Sequence, residues 1–479
     1  MIRSLEIGKR ALIANQRGFD VTSNNIANVN TPGYARQALM LQPGESVPAG
    51  GLYFGMGVLS AGIRQFRDEL IERDYRSSTS TQSYYQQEAT TLQRIETALG
   101  EPGNQTIQTA MQQFFDAASQ LAANPSRIAD RQLFLARASD LAAALNRTGN
   151  AIESLRSRTF DRATSTANRI NELLSTLASI NQQINATLDA SGQPAASLVD
   201  RQTQALQELS QYLDVSVSRE PTGTVNVTSS GMVLVSLNTA LSVNALQQLN
   251  ASTGETTLSF SIRKPDGTTI GTFQPRSGEL ASLAKSYNVT LNPLSSSTEF
   301  SIARELDRLA STLADRVNAF MTTGYGLNDT GPVPPGRALF VAAGGPAITA
   351  RTIAVNTALL ADPAAVPTSS TPNTPGNSDI IAATAALASD GTFLDSMTPE
   401  GYYGAITAQL AQIGAGTNDR LTAAKTVLQQ ITTERESLSG VNLDEEATNL
   451  ITYQRAFEAA ARVVTVSSDM LSTLVNLGR

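Results

Sequence analysis

The apolar row between positions 127 and 189 constrains this chain more than any other feature. Phe134, Ala138, Leu141, Leu145, Ile152 and Leu155 recur at intervals of three, four or seven, with Thr148 in the same row. Ile170, Leu173, Leu177, Ile180, Ile184 and Leu188 continue it. A helical period held this long predicts one helix, and at 1.5 Å per residue it extends roughly 90 Å. No single compact core encloses such a length, so the fold must contain a rod. Asn124-Pro125-Ser126 precedes the helix and Ser191-Gly192-Gln193-Pro194 ends it, both being breaker sequences.

Further helices accompany the rod. One is expected over about 66–99, closing on Leu92, Ile95 and Leu99, and a short one carries Ile107, Met111, Phe114, Ala118 and Leu121. A return helix holds Leu198, Ala205, Leu206 and Leu209. From about 213 the period falls to two. Val215 and Val217, Pro221-Thr222-Gly223, then Val225 and Val227 read as a hairpin. Leu258, Phe260 and Ile262, Lys264-Pro265-Asp266-Gly267, then Ile270 and Phe273 read as a second. A helix near 301–320 interrupts this β-rich stretch, and 367–377 reads as a loop tip without core-forming residues. Helices resume near 379 and run to Ser439-Gly440.

Both ends are amphipathic, where most chains fray. Residues 2–28 carry Ile2, Leu5, Leu12, Phe19 and Ile26 near heptad spacing, interleaved with Gly8, Ala11, Ala14 and Ala27. Thr31-Pro32-Gly33 ends that helix, and short strands or a β-hairpin are expected over 34–63. At the other end Asn442 and Glu445 make a helix start in which each reaches the other's backbone N–H. Leu443, Ala447, Leu450, Gln454, Phe457, Ala461, Val464, Ser468, Leu471 and Val475 then follow a 3–4 rhythm. One narrow stripe on so long a helix does not offset the entropy of ordering it. Both terminal segments are therefore expected to be disordered in a free monomer and completed by neighbouring molecules. Ile451, Tyr453, Val463 and Met470 are expected to face those neighbours.

Composition excludes several functions. There is no Cys, His or Trp, which removes disulfides, thiolate chemistry, zinc sites of the usual kind and Ser–His or Cys–His catalysis. A net charge of -7 opposes nucleic-acid binding, and no run of 18 apolar residues suggests a membrane span. Charges at Arg3, Glu6, Lys9, Arg10 and Arg17 interrupt any signal-peptide core, so an exported chain is expected to leave without a cleaved signal. Asp444, Glu445 and Glu446 read as acids stabilising a helix N-terminus. Gly55 and Gly57 lack the spacing and Lys of a phosphate loop, and Asn-x-Thr/Ser triplets at Asn104, Asn146 and Asn185 read as chance. No catalytic, cofactor or metal site is expected.

The string SNNIANVNTPGYARQ at 23–37 resembles the N-terminal signature of the axial proteins of the bacterial flagellum. SGVNLDEEATNLITYQRAF at 439–457 resembles the C-terminal signature of one branch, the first hook-associated protein family (FlgK). Ser197-Leu198-Val199-Asp200-Arg201-Gln202 is similar to a family string usually written LLDQRD. The resemblance implies terminal helices paired as a coiled coil lining the inner tube of a ring-like helical self-assembly. It further implies a place at the hook–filament junction, between the hook protein and the next junction protein, reached through type III export. A cytosolic export chaperone would bind the C-terminal segment. Neither nucleic acid nor membrane is an expected partner.

The expected fold is mainly α with a β-rich insertion. Residues 1–40 with 440–479 would form a terminal coiled-coil polymerisation domain, 41–212 with 378–439 a helical rod domain, and 213–377 a β-rich outer domain. The expected subunit-interface residues are Leu5, Leu12, Phe19, Asn24, Asn25, Ile26 and Asn28, with Leu443, Leu450, Phe457, Val464 and Leu471. Competing readings are a hook or rod protein of the same axial class, a secreted cell-wall hydrolase with paired carboxylates, and a coiled-coil translocator. The rod inside the terminal segments disfavours the first, scattered acids the second, and the missing apolar segment the third.

Overall fold

A computed structural model describes residues 2–31, 33–49, 52–100, 106–188 and 194–477. Pro32, Gly50, Gly51, Asn104 and the 191–193 breaker lie outside these. The long apolar row does form one helix. The chain opens with α1 (Ile2–Ala27), then two nested hairpins: β1 (Gln37–Pro43) pairs with β4 (Val58–Gln65), and β2 (Ser46–Ala49) with β3 (Leu52–Gly55). Helices α2 (Glu69–Leu99), α3 (Ile107–Ala123), α4 (Ile128–Ala186) and α5 (Ala196–Tyr212) follow. Asp68 caps α2 by accepting from the Leu70 N–H at 2.8 Å, and Thr106 caps α3.

Strands β5 (Ser216–Arg219), β6 (Val225–Ser229), β7 (Met232–Ser236) and β8 (Thr239–Ala240) form a sheet in that order. Strands β9 (Ser242–Leu249), β10 (Thr256–Arg263) and β11 (Thr269–Phe273) form another, with β10 central. Then come α6 (Gly278–Lys285), a π-helical turn at Ser286–Thr290, α7 (Ile302–Met321), the pair β12 (Phe340–Ala342) and β13 (Ile353–Val355), α8 (Thr357–Ala361) and α9 (Asp379–Ala386). The chain closes with α10 (Pro399–Ser439) and α11 (Leu443–Leu477). Thr398 caps α10 with Pro399 at its first position, the place where a missing N–H costs nothing.

Helix α4 passes through two cores. Its first half brings Phe134, Leu141 and Leu145 against Phe114 of α3, Leu309 of α7, Phe340 of β12 and Ile406 of α10. The Phe114 ring centroid lies 5.3 Å from Phe134 and 5.8 Å from Phe340, within the range of favourable aromatic pairs. Its second half brings Ile170, Leu174 and Leu177 against α5, β6, β7 and β10. The stretch 213–377, expected as one insertion, therefore has no core of its own. Its strands pack on one half of α4, and α7 with β12 and β13 on the other.

Two local expectations change. The start of the 367–377 loop is buried, with Thr368 and Ser369 covered. The fully buried Arg131 guanidinium holds this segment, donating to the carbonyls of Val366 (2.6 Å) and Ala364 (3.1 Å) and to Thr368 Oγ1 (2.9 Å). Burial lowers its pKa to about 10. Asn146, read as a chance triplet, donates to the carbonyls of Ala350 and Ile353 at 2.9 and 3.1 Å, tying α4 to β13 and its approach.

Candidate functional site

Helix α1 carries α11 on one side and the β1–β4 hairpin on another. The α1 stripe that meets α11 is built from small residues. Gly8, Ala14 and Gly18 are buried, with Val21, Thr22 and Asn25 continuing the row. A Cβ on Gly8 would stand 2.7 Å from Val464, and one on Gly18 would enter the Tyr453 ring. The backbones thus approach where only glycine fits. The large seam residues flank this contact: Leu5, Leu12 and Ile26 are half-buried, while Phe19 is exposed.

On α11 one row of the expected seam holds and the other moves. Leu450, Val464 and Leu471 turn toward α1 and are half-buried. The alternating positions are Glu446, Tyr453, Ala460 and Ser467 rather than Ala447, Gln454, Ala461 and Ser468. Leu443 and Phe457, at heptad spacing from Leu450, Val464 and Leu471, are nevertheless exposed, and Tyr453, expected to face a neighbour, packs on Gly18. A 3–4 alternation is satisfied equally well by either row. The small stripe of α1 selected the one bringing Tyr453 over Gly18. Ile451, Val463 and Met470 remain exposed, joined by Val466 and Leu474.

Where the helix pair meets the rod, the three strings quoted from the sequence converge. Asn25 is fully buried. Its amide donates to Glu446 Oε2 (3.0 Å) and the Gln37 carbonyl (2.8 Å), and its oxygen accepts from the Gln37 N–H (3.0 Å) and Tyr34 OH (2.7 Å). All its hydrogen bonds are spent inside this chain, so Asn25 does not offer the intersubunit contact expected of it. Asn24 is exposed and Asn28 half-buried, and the Asn28 amide donates to Asn24 Oδ1. Arg36 donates to Glu446 at 2.8 Å and Glu445 at 2.9 Å, and its backbone N–H donates to the Ser439 carbonyl. Asn442 Oδ1 accepts from the N–H groups of Asp444 and Glu445. Glu445 turns to Arg36 instead of back to Asn442, so two of the three acids read as dipole partners are ion-pair partners.

A second ionic cluster continues into the rod. Arg67 donates to Asp200 at 2.6 Å and to Glu72 at 3.3 Å. Glu72, almost fully buried, also accepts from Arg435 of α10 (2.8 Å) and Gln207 of α5 (3.1 Å). Burial pushes the Asp200 carboxyl above its usual range, against the opposing pull of Arg67 and Gln65. Burial also raises the Tyr34 hydroxyl, reinforced by the carboxylates of Asp200 and Glu446. These groups tie α1, α2, α5, α10 and α11 at one joint. Arg36, Arg67 and Glu72 were not among the expected site residues. Arg36 lies inside the quoted 23–37 string, and the cluster of Arg67, Asp68, Glu69 and Glu72 at the start of α2 was the available signal for the other two.

Among the described residues, no helix is long and apolar enough to cross a membrane, and no three acidic side chains are grouped as metal ligands.

Comparison with known proteins matches the same segments. The family model described as the flagellar hook-associated protein FlgK helical domain covers residues 92–340, about half of the chain. Models of the flagellar basal body rod FlgEFG protein C-terminal and of the flagella basal body rod protein cover 435–477 and 5–34. Flagellar hook-associated protein 1 of Bacillus subtilis (strain 168) is 25% identical over 98% of this chain and 97% of its own length. That of Escherichia coli (strain K12) is 24% identical over 97% and 98%. The flagellar hook junction protein FlgK from Burkholderia pseudomallei shares 24% identity at a TM-score of 0.47, over 57% of this chain and 47% of that one. This chain thus spans about half the length of that solved structure. The sequence agreement over nearly the full chain, and the helical-domain match over half of it, show that this chain belongs to the FlgK family of flagellar hook-associated proteins and is a structural component associated with the flagellar axis.

Proposed function

We propose that this protein is a non-catalytic adaptor at the hook–filament junction, self-assembling through α1 and α11 into a ring-like zone. The observation that carries this reading is the uncovered apolar face of the terminal pair. Val463, Val466, Met470 and Leu474 share one exposed apolar side of α11, and Phe19 of α1 and Phe457 on another side of α11 are exposed as well, surfaces of the kind that mark interaction sites. Leu5, Leu12, Asn24, Ile26, Asn28, Leu443, Leu450, Val464 and Leu471 belong to the same surface or its margin. The pair acts as a coiled coil completed by neighbours in the tube wall. Residues 1–40 with 440–479 serve polymerisation, 41–212 with 378–439 form the rod, and 213–377 face outward. This is a division of roles rather than of cores. The joint of Arg36, Glu446 and Asn25 positions the polymerising pair on the rod.

In this reading the hook protein lies on one side and the next junction protein on the filament side. The chain travels without a cleaved signal through type III export to the cell exterior, with a cytosolic chaperone on the C-terminal segment. Phe457→Asp is expected to abolish incorporation at the hook end, while circular dichroism and melting of the purified monomer stay at wild-type values. Normal filaments on hooks in that mutant would overturn the interface assignment.

A further inference from the structure

Six threonines lie on α10, and five of them spend their hydroxyl on the helix itself. Thr407, Thr422, Thr426, Thr432 and Thr433 each donate to the carbonyl three or four residues earlier, a common arrangement for a helical threonine. Thr417 is the exception. It is only 3% exposed, yet its hydroxyl has no hydrogen-bond partner among the described residues. Unlike the hydroxyls of Thr79 and Ser80, it is not sealed off by protein, and Thr417 lines a groove of about 540 Å³. Gln409, Gln412, Gly416 and Arg420 stand on the same face of α10, at spacings of three or four. Opposite them are Glu88 of α2, Lys285 at the end of α6, and the segment 298–300 that follows the π-helical turn. A Cβ on Gly416 would meet nothing within 4 Å, so no packing inside this chain accounts for a glycine at that helical position. The side chains of Gln409, Gln412, Thr298 and Arg420 also have no partner among the described residues. The adaptor reading uses none of these groups.

We infer that this groove binds a short neutral oligosaccharide. The unspent groups decide the class. The two carboxamides and the two hydroxyls each donate and accept, so they match a ligand that presents hydroxyl groups at several points. Charge cancels at the walls, where Lys285 and Arg420 face Glu88 and Glu299. Lys285 is already paired, 2.9 Å from Glu88 and 3.8 Å from Glu299, which leaves Arg420 as a further donor. A charged ligand therefore finds no net opposite charge. Leu92, Phe300 and Ile413 add an apolar patch to the lining. The C–H face of a pyranose ring covers such a patch while its hydroxyls reach the polar groups. An extended peptide fits less well, because helices and turns offer no strand edge for main-chain pairing. The volume lies in the range of small-molecule sites, and π-helical turns are frequent at functional sites.

Saturation-transfer NMR on the purified protein tests this, with maltotriose, cellotriose and tri-N-acetylchitotriose as probes. At least one of them is expected to show transfer at millimolar concentration, strongest on its ring C–H protons. Thr417→Val keeps the side-chain shape and removes no bond within the chain. Its melting temperature is expected to stay at the wild-type value while affinity for the sugar falls about tenfold, as for one lost hydrogen bond. Gly416→Leu fills the groove with a better helix former. It is expected to abolish transfer without lowering the melting temperature. No transfer from any of the three probes overturns the inference, as does binding that both variants leave unchanged. A Gly-Ser hexapeptide that displaces the sugar and responds to the same variants would overturn the saccharide class.

Discussion

Helices α4 and α11 are both long and both periodic, yet they differ in what completes them. Of the 59 residues in α4, 26 are buried, and they fall on several sides because two cores wrap the helix. Of the 35 residues in α11, only Glu446, Ala460 and Ser467 are buried, all on the side facing α1. The first is a rod finished inside its own chain. The second presents large apolar residues to solvent and meets α1 through the buried Glu446, Ala460 and Ser467 with the half-buried Leu450, Tyr453, Val464 and Leu471 beside them. Periodicity thus reports that a helix has an apolar face, whereas the supply of neighbours decides whether that face is covered.

The difference is broken most directly by truncating one phenylalanine in each region. Phe134→Ala opens a cavity between Phe114 and Phe340 and is expected to cost about 3–5 kcal/mol in thermal or urea unfolding. Phe457→Ala is expected to leave monomer stability within about 0.5 kcal/mol of wild type while impairing assembly. Equal losses in the two monomers would show that α11 is already complete alone.

Next in size is the joint. Glu446→Ala leaves Arg36 and the Asn25 amide without their shared acceptor, and is expected to weaken docking of α11 by about 3 kcal/mol. Limited proteolysis of the monomer reads this as faster release of both terminal segments, with the melting of the α4 cores unchanged. Glu446→Gln, which keeps an acceptor oxygen, should lie between the two. Cleavage at the wild-type rate in Glu446→Ala would remove the joint from the account.

A smaller effect is expected at Gly18. Alanine there gains about 1 kcal/mol of helix propensity but collides with Tyr453, at a typical overpacking cost of about 1–3 kcal/mol. The expected net loss in pairing is about 1 kcal/mol, seen as weaker assembly although an isolated α1 peptide becomes more helical. Stronger assembly would mean that the Tyr453 ring turns aside freely.

The smallest effect is one of pH. The folded state holds the Tyr34 hydroxyl above the usual tyrosine range, first by burial and then by Asp200 and Glu446. Its contribution is therefore intact below the unfolded value of about 10 and is lost as pH climbs above it. Terminal proteolysis should accelerate in that alkaline window for wild type and rise less steeply in Tyr34→Phe. Parallel profiles would place the alkaline sensitivity elsewhere.

Much of this molecule was legible before its structure. The 59-residue helix, the hairpins at Gly223 and Gly267 and the helix from Ile302 all follow from local period and turn chemistry, which act within a few residues. Less legible were the buried polar groups. Arg131, Glu72 and Asn25 resemble surface residues in sequence, and their burial depends on hydrogen-bond partners as far away as Val366, Arg435 and Glu446. The seam of α11 lay between these cases, since its spacing was visible and its register was not.

The sequence by itself determined the lengths and periods of the helices, the amphipathic character of both ends and the family to which they belong, because these depend on neighbours along the chain. Only the tertiary structure decided which row of α11 faces α1, which of the terminal asparagines is spent internally, and that strands and helices of the middle stretch share their cores with α4. Those outcomes rest on steric fit and hydrogen-bond saturation between distant segments, such as the space over Gly18 that admits Tyr453. A periodic pattern leaves such choices degenerate until the partner surface is in place.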